Sequence, residues 1–307
     1  MRRVRYERNG GPEVLEVESV EIPTPGPGEL LVRVEAIGVT LPVVRKVREA
    51  GEPSPLGGEI AGEVVAVGEG VTDCMPGYRV TGLCFGHGYA EYALIHESMA
   101  STIPDGASAV DAVALVRSGL VALGALDAAK PESGESALVT AAASGVGHLA
   151  VQLARVRGAK RVLAAVSDLS KAEFLDGLGV DEVVAYSART WGEPVDYGLD
   201  AVGGDLLGPA LAALAPGGRL VAYSSGGGTI QAYDLLVGAK SVIGFQIARV
   251  AAETPEIYDH WRQELWQYAA SGQLRPAVHA EFSLDDAAEA HTVIEGRANL
   301  GKVVLIP

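Results

Sequence analysis

Hydrophobic and polar positions change rhythm along this chain. Over residues 1–100 the apolar positions recur with a period near two, in short runs cut by proline and glycine. Val14-Leu-Glu-Val-Glu-Ser-Val-Glu alternates in part, and Leu30-Leu-Val-Arg-Val-Glu-Ala alternates well. Gly62-Glu-Val-Val-Ala-Val-Gly runs into a glycine turn, and Tyr78-Arg-Val-Thr-Gly and Gly88-Tyr-Ala-Glu-Tyr-Ala-Leu-Ile complete the set. Short strands at such spacing predict a small β-barrel or sandwich. Near Asp111 the period lengthens, predicting an alanine-rich helix over 110–129. Strand and helix then alternate. Strands are expected at 137–140, 161–166, 182–185, 197–201, 219–223 and 241–245, with helices at 146–157, 169–178, 206–214 and 235–239. That alternation predicts a parallel sheet with right-handed crossovers. An aromatic-bearing helix follows at 255–271. The tail (a strand at 277–282, a helix at 287–295 with Ser283 as N-cap, and a closing strand from Gly301) does not extend the series. It is expected to rejoin the N-terminal β domain.

The stretch from Ser136 to Arg155 organises the alternating part. A β-rich run leads through small residues, Ala141 to Gly147, into a helical pattern. A strand, a tight turn and a helix N-terminus make an anion site, because the free N–H groups of the first turn and the helix dipole both favour negative charge. Ser144, Gly145, Val146 and Gly147 are the candidate phosphate cradle. The spacing is not G-x-G-x-x-G: Ala143 and Ser144 stand where glycines are usual, and an ordinary buried β-turn-α unit reads the same way.

Composition narrows the function classes. Of 307 residues, 48% are hydrophobic and 6% aromatic, and the net charge is −15. The balance suits a soluble protein with close helix–sheet packing and enough length for two domains. It carries no basic footprint for nucleic acid. The two cysteines, Cys74 and Cys84, form no C-x-x-C pair and are expected as buried free thiols. Neither an apolar signal core nor a run of about 18 apolar residues stands out, so a cytoplasmic location is expected.

Six stretches together resemble the medium-chain dehydrogenase/reductase superfamily, in its zinc-independent quinone oxidoreductase (zeta-crystallin-like) branch. They are Gly28-Glu-Leu-Leu-Val-Arg-Val-Glu-Ala-Ile-Gly-Val, Leu56-Gly-Gly-Glu-Ile-Ala-Gly-Glu-Val-Val-Ala-Val-Gly-Glu-Gly-Val, Pro76-Gly-Tyr-Arg-Val, Ala142-Ala-Ser-Gly-Val-Gly, Asp200-Ala-Val-Gly-Gly and Gly301-Lys-Val-Val-Leu. The resemblance implies an α/β fold: a doubly wound parallel Rossmann sheet inserted in a GroES-like β-barrel domain, with the active site in the cleft between them. The expected boundaries are 1–113 for the first part of the β domain, 114–250 for the Rossmann domain and 251–307 for the return. Zinc-dependent members carry a Cys and a His where this chain has Val39 or Thr40, and Gly58. The four-cysteine loop after Val80 is missing as well, so no metal is expected.

The same resemblance assigns site residues. Ser144 to Gly147 would hold the pyrophosphate. Ser167, Lys171 and Tyr186 would hold the 2′-phosphate of NADPH, with Arg189 adding charge. Asp168 cuts against this and keeps NADH open, although an N-cap role is its plainer reading. Val202 and Gly203 would border the adenosine, Ser224 and Ser225 the nicotinamide ribose, and Phe245 the nicotinamide. Gly203-Gly204 and the run Gly226-Gly-Gly228 also read simply as flexible loops. The branch's Asn, Asp and Tyr after the second β-domain strand are replaced here by Thr40, Val43 and Arg45. Thr40 can still hydrogen-bond a substrate carbonyl, and Arg45 can stabilise a developing oxyanion or be a surface arginine. Glu59 reads as a structural acceptor, His148 as helix packing or a phosphate contact, and His87 as a loop residue.

The implied function is a zinc-independent, NADPH-dependent reductase that passes hydride to a quinone or an α,β-unsaturated carbonyl. A trans-acting enoyl-thioester reductase and a cofactor-binding, crystallin-like protein with little catalysis remain alternatives. The expected partner is a small-molecule substrate, with no nucleic acid or membrane. A homodimer is expected through the apolar edge strand near Ser241 to Phe245.

Overall fold

The computed structural model describes residues 1–49, 51–223 and 226–307. They form two compact units, Met1–Arg117 with Pro276–Pro307, and Ser118–Arg275.

The first unit begins with a charged antiparallel pair, β1 (Arg2–Arg5) and β2 (Glu16–Ser19). Then come β3 (Glu29–Val39), helix α1 (Leu41–Arg48), β4 (Gly58–Val67), β5 (Arg79–Cys84), β6 (Tyr92–His96) and β7 (Ala100–Thr102). β3 buries Leu30, Val32 and Val34 while Arg33 stays exposed, which is the alternation legible in its sequence. α1 is not among the elements expected over residues 1–100. Its Val43, Val44 and Val47 share one buried face at helical spacing, and Pro42 sits in its first turn, where the missing N–H costs nothing.

α2 (Ala109–Ala129) leads into the second unit. By length and composition it could cross a bilayer, with a mean hydropathy of 1.7 over its most apolar window, but 78% of that window is buried inside the protein. Burial marks it as a core helix. The second unit then runs through β8 (Ser136–Thr140), α3 (Gly147–Val156), β9 (Arg161–Val166), α4 (Ala172–Asp176), β10 (Glu182–Ala185), β11 (Val195–Asp200), α5 (Leu207–Ala212), β12 (Leu214–Ala222), α6 (Ala232–Gly238), β13 (Ser241–Gly244), α7 (Ile247–Glu253) and α8 (Pro255–Ala270). Its described strands form one parallel sheet in the order β10-β9-β8-β11-β12-β13. Winding reverses between β8 and β11, and such a switch point is where open α/β sheets bind ligands at their carboxyl ends. β8 is buried throughout, as expected of a strand covered on both faces.

The chain re-enters the first unit with β14 (Val278–Ser283), α9 (Ala287–Glu295) and β15 (Lys302–Ile306). β15 runs antiparallel to β3, with Val304 opposite Gly38, and β14 lies parallel to β15. The C-terminal strands thus complete the sheet begun by β3. The return begins at Pro276 rather than at 251. Residues 251–275 stay with the central unit because α8 is anchored there. Trp261 Nε1 donates to Asp127 (2.8 Å), Arg157 pairs with Glu264 (3.1 Å), and Gln152 Nε2 donates to the Arg275 carbonyl (3.1 Å).

Candidate cofactor site

A buried carboxylate ties the two strand ends at the switch point. Asp200 closes β11 and is fully shielded from solvent. Thr140, the last residue of β8, donates its hydroxyl to Asp200 Oδ1 (2.8 Å) and accepts the Ala201 N–H (2.9 Å). Asp200 also accepts the N–H groups of Val202 (3.3 Å) and Gly203 (2.8 Å). The buried charge is met by donors on every side, which is the condition for keeping it buried. Its effect is to fix the loop that follows β11. Only Asp200-Ala-Val-Gly-Gly hinted at this in the sequence; Thr140 gave no signal of its own.

The turn after β8 is held from within. Ala141 adopts a left-handed φ of +48°. Its N–H donates to the Tyr186 hydroxyl (2.9 Å), and its carbonyl accepts the Ser144 N–H (2.9 Å). Ser144 Oγ accepts the Gly147 N–H (3.0 Å). A Cβ at Gly147 would lie 2.1 Å from the Ala141 oxygen and 2.7 Å from Ala142 Cα. Glycine is therefore obligatory there, and α3 can start directly against the turn. Gly145 and Val146 are half-buried within it. His148 is completely buried, its Nδ1 2.9 Å from the Ser144 carbonyl and its ring 6.4 Å from Phe174, so it packs and braces the turn.

The 2′ candidates gather at the ends of β9 and β10. Ser167 is exposed immediately beyond Val166, and the Tyr186 N–H donates to the Val166 carbonyl (2.8 Å). Asp168 is an N-cap, accepting the Ser170 N–H at 2.7 Å. That backbone bond, with the Ser170 side chain and the charge of Lys171, holds its carboxyl below the usual range. The carboxylate is thus turned into the 3-10 turn that carries Lys171.

The glycines beyond β11 and β12 are not loose loops. Gly203 and Gly204 take φ of +71° and +60°, and Gly227 and Gly228 take +65° and +105°. The Gly204 N–H donates to the Gly227 carbonyl (2.8 Å), and a Cβ on Gly203 would stand 2.9 Å from the same oxygen. The two loops clasp backbone to backbone, which only side-chain-free residues permit. Ser224 and Ser225 lie outside the described residues. Phe245 follows β13, with its N–H on the Ala222 carbonyl (3.0 Å). Its ring packs against α2 and α8: a Cβ on Gly124 would meet Phe245 Cζ at 2.4 Å, and Trp261 lies 6.4 Å away.

In the β unit, Thr40 is the residue before α1, and its carbonyl accepts the N–H groups of Val43 and Val44 (both 3.1 Å). Arg45 is half-buried on α1. Glu59 is buried in an ion pair with Lys302, in keeping with a structural acceptor. Behind it, Tyr89 Oη lies 3.2 Å from His291 Nε2. Burial pushes the tyrosine up and lowers His291 to about 4. His87 is an exposed loop residue at φ +56°, 3.0 Å from Arg3. Both cysteines are buried and outside any disulfide, and burial pushes Cys84 up to about 11, far from a reactive thiolate. Among the described residues no cluster of His, Cys, Asp and Glu has the make-up of a metal site.

Known proteins align with this arrangement over its whole length. Residues 26–105 match the alcohol dehydrogenase GroES-like domain, and residues 178–305 match the zinc-binding dehydrogenase family. A quinone oxidoreductase of Pseudomonas aeruginosa is 33% identical, with 100% of this chain and 99% of that protein aligned. The chain belongs to the quinone oxidoreductase family of medium-chain dehydrogenases/reductases. A 2-haloacrylate reductase of a Burkholderia species is 32% identical over 98% of this chain and 97% of its own. The structure of Escherichia coli quinone oxidoreductase complexed with NADPH superposes with a TM-score of 0.91 at 28% identity, covering 100% of both chains. This family member therefore has a GroES-like β unit and a Rossmann unit, as its two larger sheets show.

Proposed function

We propose that this protein is an NADPH-dependent reductase of quinones and α,β-unsaturated carbonyl compounds. The observation that carries the reading is the switch-point edge, where Gly147 lets α3 start directly against the turn after β8 and Ser167, Lys171 and Tyr186 lie at the neighbouring strand ends. The residues fit a phosphorylated dinucleotide: N–H groups at a helix start for the pyrophosphate, and a lysine, a serine and a tyrosine for a 2′-phosphate. In this assignment Ser144, Gly145, Val146 and Gly147 face the pyrophosphate, and Val202 and Gly203 border the adenosine. Ser224, Ser225 and Phe245 serve the nicotinamide end. The reduction of a haloacrylate by a relative at 32% identity supports activated C=C bonds as substrates.

When bound, the dinucleotide supplies a hydride to an electron-poor carbon. In a quinone or enone, conjugation carries the resulting negative charge onto the carbonyl oxygen. Thr40 is assigned as hydrogen-bond donor to that oxygen and Arg45 as the cation that steadies it. A solvent proton completes the quinol or the saturated ketone. Asp168 serves as a cap, which gives its carboxylate a role in the turn apart from the cofactor. The reading includes a cytoplasmic homodimer joined through β13, a strand at the edge of the described sheet.

The test is steady-state oxidation of NADPH and of NADH against a benzoquinone, a small enone and an enoyl thioester. NADPH is expected to be consumed with the first two and NADH more slowly. Turnover with the thioester alone, or with no acceptor, would overturn the proposal.

A further inference from the structure

One buried hydroxyl at the switch point is unused. β12 ends at Ala222, and Tyr223 donates its N–H to the Asp200 carbonyl (3.1 Å), which seats it beside the end of β11. Its Oη is shielded from solvent and has no hydrogen-bond partner among the described residues. Buried hydroxyls are nearly always paired, and an orphan opposes folding unless a ligand completes it. Asp200, whose oxygens accept from Thr140, Val202 and Gly203, makes no hydrogen bond to Tyr223 Oη. Burial, with the Asp200 charge and the Tyr186 phenol, holds it protonated. Tyr186 Oη in turn accepts the Ala141 N–H at the root of the phosphate turn. A neutral hydroxyl offers a donor, and phosphate and ribose oxygens are acceptors.

We propose that Tyr223 is a cofactor-positioning residue, its hydroxyl donating to an oxygen of the adenosine-diphosphate half of the bound dinucleotide. This rests on the NADPH reading above. The same sheet supplies an internal comparison. Tyr197 Oη is also buried without a partner, but it lies toward the amino end of β11, opposite Arg219.

The experiment titrates full-length wild-type protein, Tyr223→Phe and Tyr197→Phe with NADPH and separately with 2′,5′-ADP, by fluorescence or calorimetry. Unliganded thermal unfolding is recorded for each. Tyr223→Phe is expected to unfold at the same or a higher temperature, since it deletes an orphan, yet to bind both ligands about tenfold more weakly. Tyr197→Phe is expected to bind both as the wild type does. Affinity of Tyr223→Phe within twofold of wild type would overturn the inference. So would equal weakening in Tyr197→Phe, or weakening for NADPH with 2′,5′-ADP unaffected. Wild-type protein that fails to bind NADPH would overturn the cofactor reading, and this inference with it.

Discussion

At the scale of single residues, the candidate site depends on a few positions whose chemistry cannot be exchanged. Gly147 is the sharpest. The atoms a Cβ would strike at 2.1 and 2.7 Å are backbone, so no rotamer change relieves the clash. Gly147→Ala is expected to destabilise by roughly 3 kcal/mol, the upper range of overpacking, and to weaken NADPH binding by shifting the turn. Denaturant unfolding and a binding titration measure the two effects, and a variant normal in both would remove Gly147 from the site. Lys171 makes the complementary prediction. It stands in the turn capped by Asp168, and loss of a charge-assisted bond to a phosphate is worth about 1.5–3 kcal/mol. Lys171→Ala should therefore raise the Kd for NADPH about tenfold or more while changing the Kd for NADH little. Equal losses for both cofactors would mean that Lys171 does not read the 2′ position.

Among elements, helix α9 meets β-unit residues in a way that gives folding a pH dependence. His291 on α9 is buried against Tyr89, with rings 5.7 Å apart and edge to face. Burial holds its folded pKa at about 4, against 6.5 for the free group. Between those values the unfolded chain binds the proton and the folded chain does not, so stability is full above about pH 6.5 and is lost as pH falls toward 4. At about 1.4 kcal/mol per pH unit the loss is on the order of 3 kcal/mol. The stability difference between wild type and His291→Gln, measured by denaturant unfolding, should therefore shrink by that amount from pH 7 to pH 4. A difference independent of pH would show that the folded and unfolded chains bind the His291 proton equally, so that burial does not lower its pKa. Elements also show what the sequence could and could not say. β9 was legible to the residue because a strand buried on both faces is a bare apolar run, and β10 because its short apolar run is set off by polar and glycine residues on its amino side. α1 was not, because it is a short helix with a proline in its first turn, and only the burial of Val43, Val44 and Val47 reveals its helical period. The phosphate turn was legible from its small residues. Its support was not, because Thr140, Asp200 and Tyr186 converge from three strands and leave no local pattern.

At the scale of the whole molecule, the remaining question is what covers the outer edge of the Rossmann sheet. Among the described residues β13 pairs only with β12, so its other side presents unpaired backbone groups, a template for another strand. Directly before it, α6 exposes Tyr233, Leu236 and Val237, which are 71%, 76% and 68% accessible. Positions i, i+3 and i+4 share a helix face, so these three make one apolar stripe next to an open edge. In a chain with a net charge of −15, such a stripe is not needed for solubility and invites a like surface. A twofold axis beside β13 would pair the strand with its own copy and bring the two α6 stripes under cover together. Burying a leucine side chain of this kind contributes about 1.5–3 kcal/mol, and the twofold counts each substitution twice. Leu236→Asp is therefore expected to shift the protein from dimer to monomer at micromolar concentration in sedimentation equilibrium. Met75→Asp, an equally drastic change at an exposed position of the β unit, should leave the dimer intact. A wild-type chain that sediments as a monomer at the same concentration would leave the β13 edge and the α6 stripe without a second copy to cover them.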